Sequence, residues 1–425
     1  MNIKLVYPRW PKLPHQPEFH LPPHGPVVFA ASIPDEHDIS FCDEHVQTLD
    51  FGEAADLICI SCMLTCQIPR AWEIADRYRA MGKTVVMGGI AAMLHARETE
   101  QHVDAVFLGE AEGYMDQVLA DFERGALKKI YDFMGKWPDI ASVGPARRDI
   151  LKREAYNYRG VQMVDLVHCS RGCRFDCFPC CVAYLGGRQF RPRPFERVVE
   201  EFQSIPNNRL FVVDNSLAQD DEWEKELFRV IAPLKKKWVS HPIRDKAEIL
   251  DLAAAAGCWY VYQSIIDTSD VMRTRIEKYH DRGIGVEGTI LLGLDDHDED
   301  YVKRLVDFLL ECKLDLAEFT VLTPFPHTAI RAKLEGEGRI LHNQWERYTA
   351  GEAVFQPAKM SVEKLNEMYR YAWDAFYRDE PKEVKMANLY RRVLEKEMAD
   401  GTFRSHRLSR EKWGEGESKA VADKA

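Results

Sequence analysis

The stretch His168-Cys169-Ser170-Arg171-Gly172-Cys173-Arg174-Phe175-Asp176-Cys177-Phe178-Pro179-Cys180-Cys181 decides how the rest of the chain is read. Five of the chain's 11 cysteines fall within it. Cys173, Cys177 and Cys180 have the spacing C-x3-C-x2-C. Three thiolates on one tight loop can hold three irons of a [4Fe–4S] cluster, because thiolate is the soft ligand such clusters need. A fourth thiolate would close the cluster, whereas three leave one iron open to a substrate or cofactor. Structural zinc fits less well, since zinc sites pair two short Cys knuckles a dozen or more residues apart and no second knuckle follows. A disulfide framework is also disfavoured, because a chain of this length does not need stapling.

With Ser170-Arg171-Gly172-Cys173 as its lead-in, the loop resembles the signature of the radical S-adenosylmethionine (SAM) superfamily, in its cobalamin-dependent branch. The resemblance implies that Cys173, Cys177 and Cys180 ligate the cluster and that the open iron chelates SAM. It also implies an aromatic residue beside the SAM adenine just before the last cysteine. Here Pro179 holds that position, and Phe178, one step earlier, is the aromatic candidate. Cys169 and Cys181 are additional, and Cys169-x3-Cys173-x3-Cys177 is a rival ligand set.

At 425 residues the chain can form two or three domains with real cores. Its net charge of −11 disfavours a nucleic-acid partner. No apolar run approaches the ~18 residues of a membrane span, and no N-terminal signal pattern is present. The expectation is a cytoplasmic protein with reduced thiols and no integral membrane segment.

Residues 1–145 alternate strand and helix patterns. Ile3–Tyr7, Leu57–Ser61, Thr84–Met87 and Val103–Leu108 read as strands, Val27–Ile33 as a helix. Ile68, Trp72, Ala75, Tyr78 and Met81 recur at helical spacing, with Pro69 at the start and Gly82 at the end. This predicts a doubly wound parallel sheet whose ligand end lies at the carboxyl ends of its strands. Those ends are Ser61-Cys62-Met63-Leu64, Gly88-Gly89 and Gly109-Glu110. The arrangement resembles the Rossmann-like cobalamin-binding domain, which implies that these eight residues meet cobalamin. Glycine there lets a bulky ligand approach the main chain. Cobalamin domains of the methionine synthase type carry Asp-x-His-x-x-Gly, whose His ligates cobalt. Asp35-Glu36-His37 and Asp43-Glu44-His45 are near matches, but Ser40 and Thr48 stand where Gly is required. Both are read as solvated polar segments.

Residues 145–160 read as a linker. Over 160–340, strands are expected at 164–168, 209–214, 238–243, 259–265, 286–292 and 317–322, with helices between them. This fits a partial (β/α)6 barrel of the TIM type, with chemistry at the carboxyl ends of strands. By resemblance, Asp214-Asn215 lies near SAM, and Gly285 and Gly288 let the adenine lie against the backbone. His327, in Thr323-Pro324-Phe325-Pro326-His327-Thr328, departs from the Pro-Gly-Thr of relatives. Residues 341–405 read as a helical region, with Leu365, Met368, Tyr369, Trp373 and Phe376 along one helix face, and 406–425 as a disordered tail. Leu341–Met360 resembles the post-barrel segment of cobalamin-type members.

The resemblance implies a class B radical SAM enzyme that methylates an unactivated carbon of a small molecule or lipid. Its implied cofactors are a [4Fe–4S] cluster, SAM and cobalamin, and its implied partner is an electron donor such as flavodoxin or ferredoxin. A non-methylating radical reaction and a non-catalytic cofactor-binding sensor are the alternatives.

Overall fold

The computed structural model describes residues 1–13, 15, 20–158 and 161–403. The tail expected over 406–425 lies outside the described residues. Contacts gather the chain into two compact units, Met1–Leu166 and Val167–Phe403.

The first unit runs β1 (Asn2–Tyr7), α1 (His24–Ala30), β2 (Asp38–Asp43), β3 (Leu57–Ser61), α2 (Ile68–Ala80), β4 (Thr84–Gly88), α3 (Ile90–Leu94), α4 (Ala96–His102), β5 (Ala105–Leu108), α5 (Met115–Glu123) and β6 (Ile130–Asp132). The six strands form one parallel sheet in the order β2-β1-β3-β4-β5-β6. Leu57–Ile60 is buried at every position, as a strand covered on both faces must be. Strand order reverses at β1, which places a ligand crevice beyond the carboxyl ends of β1 and β3.

Two strands, β2 and β6, were not legible in the sequence. Each is an edge strand and partly exposed, so neither carries an apolar run. One expectation is corrected. Asp43-Glu44-His45 is not a solvated segment: Asp43 is buried at the end of β2, where it accepts from Tyr156 Oη at 3.1 Å and meets His45 Nδ1 at 2.7 Å. Buried charge is tolerated there because it is paired. The segment after residue 145 also packs onto the unit's body. Leu151 and Tyr156 join Val27 in a small core, and Arg153 pairs with buried Asp165 at 2.7 Å. A two-strand ribbon, β7 (Asn157–Tyr158) with β8 (Val161–Gln162), follows.

The chain then gives β9 (Asp165–Val167), β10 (Ser170–Arg171), α6 (Val182–Gly186), β11 (Arg191–Pro192), α7 (Phe195–Ser204), β12 (Arg209–Val212), α8 (Asp221–Ile231), β13 (Lys237–Ser240), α9 (Ala247–Ala255), β14 (Cys258–Ile265), α10 (Asp270–His280), β15 (Gly285–Leu292), α11 (Glu299–Glu311) and β16 (Leu316–Val321). The main sheet runs β16-β15-β14-β13-β12-β9, with β12 to β16 parallel, as the expected six-stranded partial barrel requires. One row of each strand packs on the helices, including Leu210, Trp238, Val261, Val286 and Ala317.

Three helices complete the unit: α12 (Ala329–Gly336), α13 (Val362–Phe376) and α14 (Lys382–Ala399). The aromatic stripe of α13 is packing, since Leu365, Met368, Tyr369, Trp373 and Phe376 all lie in the barrel core. Helix α14 crosses the amino ends of the strands. Its Leu389 and Val393 pack with Val239, Tyr260 and Leu316, and its Glu397 binds Arg209 on β12 at 2.7 and 3.0 Å. Among the described residues, no helix is long and apolar enough to cross a membrane.

Candidate cofactor site

The cysteine loop is held at its root before any metal is considered. Strand β10 pairs antiparallel with β11, and Arg193 N–H donates to Cys169 O at 2.9 Å. Asp214, just past β12, accepts from Cys169 N–H at 2.7 Å and from Ser170 Oγ. Burial pushes the Asp214 carboxyl up to about 6, opposed by these hydrogen bonds. Gly172 turns the chain at φ +75°, and a Cβ there would overlap Gln189 O. The position therefore requires glycine for both its backbone angle and its space.

Cys173 is buried beneath the loop, while Cys177 and Cys180 are exposed. Gln219 Nε2 donates to Cys173 Sγ at 3.2 Å, and Gln219 Oε1 accepts from Arg174 N–H at 2.9 Å. Cys180 N–H donates to Cys177 O at 2.8 Å, and Val182 N–H donates to Cys180 Sγ at 3.4 Å. Burial, then the neighbouring Cys173 and Cys180, raise the Cys177 thiol. Cys177 thus lies close enough to both for their charges to act on it, and three thiolates there would repel without a metal between them. Among the described residues no three His, Cys, Asp or Glu side chains gather around a single-ion position. A cube of four irons asks for a wider arrangement, since each thiolate takes a different iron. The two additional cysteines differ from this trio. Cys169 packs into the barrel core, and burial pushes its thiol well above the ordinary range. Cys181 is half-buried.

Beside the loop opens a cavity of about 400 Å³, lined by Cys177, Phe178, Cys180, Tyr184, Arg188 and His327, among others. Phe178 is 58% exposed at this cavity. His327 adopts φ +63°, and its ring stacks on Tyr184 at 4.3 Å between centroids. Arg188 pairs with Asp176 across the loop. The sequence flagged Phe178 and His327. It gave no sign of Tyr184, Arg188 or Gln219, which lie outside the cysteine spacing.

In the first unit, Ser61 and Gly88 end adjacent strands in register. Gly89 follows at φ +93°, where a Cβ would come within 2.6 Å of Cys62 O. Gly109 follows β5 at φ +111°, and Glu110 comes next, half-buried. The turn after β3 is tied down by Gln67, whose Oε1 accepts from Met63 N–H at 2.9 Å and Leu64 N–H at 3.1 Å. Cys62 is fully buried, Leu64 is half-buried and Met63 is 42% exposed.

No protein-family model matches the chain. The bacteriochlorophyllide d C-12(1)-methyltransferase of Chlorobaculum tepidum is 24% identical over 81% of this chain and 80% of its own length. The hopanoid C-2 methylase of Rhodopseudomonas palustris is 23% identical over 76% of this chain and 66% of its own. Among solved structures, the radical SAM methyltransferase TsrM of Kitasatospora setae, with cobalamin and a [4Fe–4S] cluster bound, superposes with TM-score 0.62 at 16% identity. That match covers 79% of this chain and 78% of TsrM. By these similarities the chain resembles the cobalamin-dependent radical SAM superfamily.

Set against this superfamily, the expected site residues separate into two groups. Cys173, Cys177, Cys180 and Phe178 are brought together at one cavity mouth or directly beneath it. Ser61, Cys62, Met63, Leu64, Gly88, Gly89, Gly109 and Glu110 are brought together at the strand ends of the first unit. Asp214 anchors the loop, with its carboxylate engaged by Cys169 and Ser170, and its neighbour Asn215 is exposed. Gly285 and Gly288 are corrected. They lie in the amino half of β15, away from the carboxyl ends where radical SAM barrels bind ligands. A Cβ on Gly285 would strike Leu389 of α14, and one on Gly288 would come within 2.7 Å of Leu314. These glycines make room for Leu389 and Leu314, not for adenine.

The residues present fit the superfamily's cofactors. The loop offers three thiols of the right chemistry beside an open cavity. The first unit offers glycines at the carboxyl ends of its strands, with the exposed Met63 thioether on the turn after β3.

Proposed function

We propose that this chain is a methyltransferase acting at an unactivated carbon of a small molecule or lipid. One observation carries the reading: a three-thiol loop beside a cavity occurs in the same chain as a doubly wound sheet with glycines at its strand ends. When bound, the cluster and SAM supply hydrogen-atom abstraction, and cobalamin supplies the methyl carrier. The chain's own residues hold and orient. Cys173, Cys177 and Cys180 would take three irons, with Gln219 steadying Cys173 and Asp214 fixing the loop's root. The cavity between Phe178, Tyr184 and His327 would receive SAM and exclude water from it. Ser61, Gly88, Gly89 and Gly109 would receive the nucleotide tail of cobalamin, with Cys62, Met63, Leu64 and Glu110 around it. An electron donor such as flavodoxin or ferredoxin would reduce the cluster in the cytoplasm.

The test is anaerobic reconstitution with iron, sulfide, cobalamin and SAM, then mass spectrometry of extracts for products heavier by CH2. Each methylation is expected to release one S-adenosylhomocysteine and one 5′-deoxyadenosine. Methylated product with S-adenosylhomocysteine but no 5′-deoxyadenosine would replace hydrogen abstraction by polar methyl transfer.

The lower face of cobalt gives a second prediction. The turn Cys62–Thr65 contains no imidazole. His45, the near-motif histidine buried beside Asp43, has both ring nitrogens engaged: Nδ1 by Asp43 and Nε2 by Trp10 N–H at 3.2 Å. The cob(II)alamin form should therefore give a base-off electron paramagnetic resonance spectrum without nitrogen splitting, the same in His37→Ala and His45→Ala. Nitrogen triplets that vanish in either variant would make that histidine a ligand.

A further inference from the structure

Strands β12 to β16 surround a lumen that is filled at one end and open at the other. At the amino ends, Val239, Tyr260 and Leu316 pack with Leu389 and Val393 of α14, and Phe211 and Tyr262 lie against this plug. Toward the carboxyl ends, the row facing the lumen keeps access to open space. Tyr262 and Thr289 are half-buried and Ser264 is exposed, while the alternate residues Val261, Ile265 and Ile290 are sealed in the core. A lumen packed only for stability is filled by layers of branched side chains. This one is left open at the end where barrels of this kind bind ligands.

His241 stands at that end. It directly follows β13, and its ring lies against Phe211 and Tyr262, at 5.6 and 5.9 Å between centroids. Its Nδ1 is 2.6 Å from Asp214 O. A carbonyl only accepts, so Nδ1 carries the proton. Burial lowers the ring's pKa below the ordinary histidine range, with the Asp214 carbonyl opposing. The ring is therefore neutral at about pH 7, and Nε2 is a bare acceptor. No partner among the described residues meets Nε2, and it is not among the polar atoms sealed from solvent. A histidine that only tied one strand end to the next would need Nδ1 alone. Here the first nitrogen fixes the direction of the second, on the side of the ring pair that floors the open lumen. Asp214 connects this acceptor to the cysteine loop, because its carboxylate fastens Cys169 and Ser170 at the loop's root.

We infer that His241 Nε2 accepts a hydrogen bond from the substrate, so that the molecule methylated carries an O–H or N–H donor beside an apolar body resting on Phe211 and Tyr262. The inference rests on the methyltransferase reading and adds a substrate-binding residue to it. The ring orients the substrate, and none of its own bonds changes. A carboxylate end is excluded from this position, since it would set lone pair against lone pair.

The test uses the reconstituted full-length protein and two flat probes that differ in one donor, naphthol and its methyl ether. Fluorescence titration is expected to give naphthol a dissociation constant about fivefold or more below that of the ether, the size of one hydrogen bond. His241→Asn places an amide at the δ position, so it can keep the bond to Asp214 O but has nothing at ε, and it should erase the preference. His241→Gln places its amide oxygen near the ε position and should retain part of it. A purely structural role predicts the reverse order, with asparagine tolerated and glutamine impaired. Cluster absorbance is the folding control. Equal binding of the two probes by the wild type overturns the proposal. So does a preference that survives in His241→Asn, or in His241→Phe should the asparagine variant lose its cluster. Absence of S-adenosylhomocysteine and 5′-deoxyadenosine from wild-type turnovers would instead remove the methyltransferase reading and leave a measured donor preference standing.

Discussion

Replacing Cys173, Cys177 or Cys180 by alanine is expected to abolish the [4Fe–4S] signal after reconstitution and, with it, all SAM cleavage. Each thiolate serves one iron, and loss of one leaves two anchors for a cube that needs three. Cys169→Ala and Cys181→Ala are expected to keep the cluster. The Cys169 thiol lies in the barrel core and is strongly biased toward its neutral form, which is the wrong state for a ligand. Its replacement should cost some stability through lost packing and nothing in cluster content. Iron and sulfide analysis with electron paramagnetic resonance of the reduced protein reads both results. Full cluster content in Cys180→Ala, together with loss in Cys169→Ala, would transfer the ligand role to the rival set.

The largest effect on stability is expected at the amino end of the barrel. Arg209, on β12, and Glu397, on α14, are both buried and joined by two hydrogen bonds, and Arg209 Nη1 also donates to Tyr390 Oη at 2.7 Å. Glu397→Ala leaves the guanidinium buried without its counter-charge, which costs about 3–5 kcal/mol. For a unit of this size that lowers the midpoint of thermal unfolding by roughly 10 °C. Arg209→Met combined with Glu397→Leu should recover most of the loss, because it removes both charges instead of stranding one. Calorimetry or far-ultraviolet circular dichroism of the two variants against the parent decides the matter. A fall of under about 1 kcal/mol in Glu397→Ala would mean that water reaches the pair.

The two architectures were legible because each is written in local pattern. Leu57–Ile60 and Thr84–Met87 are short apolar runs with glycine or a small polar residue at their ends. Trp72, Ala75 and Tyr78 keep helical spacing. The barrel repeats the same alternation, and its strands fall within a few residues of their expected places. The cysteine trio was legible for a similar reason, since all three thiols come from one loop.

What only tertiary structure decided are the features that depend on a partner distant in the chain. Asp43 and His45 look like solvated residues until Tyr156 and the Trp10 backbone are brought against them. Gly285 and Gly288 suggest a ligand until Leu389 and Leu314 fill the space. Gln219, 46 residues beyond Cys173, has no local signature at all. Periodicity and loop spacing are fixed by bonds along the chain, so the sequence alone determined the fold class and singled out the trio Cys173, Cys177 and Cys180. Burial and charge pairing are fixed by which strands and helices meet, so tertiary structure alone decided which polar residues are anchors and which stand unpaired.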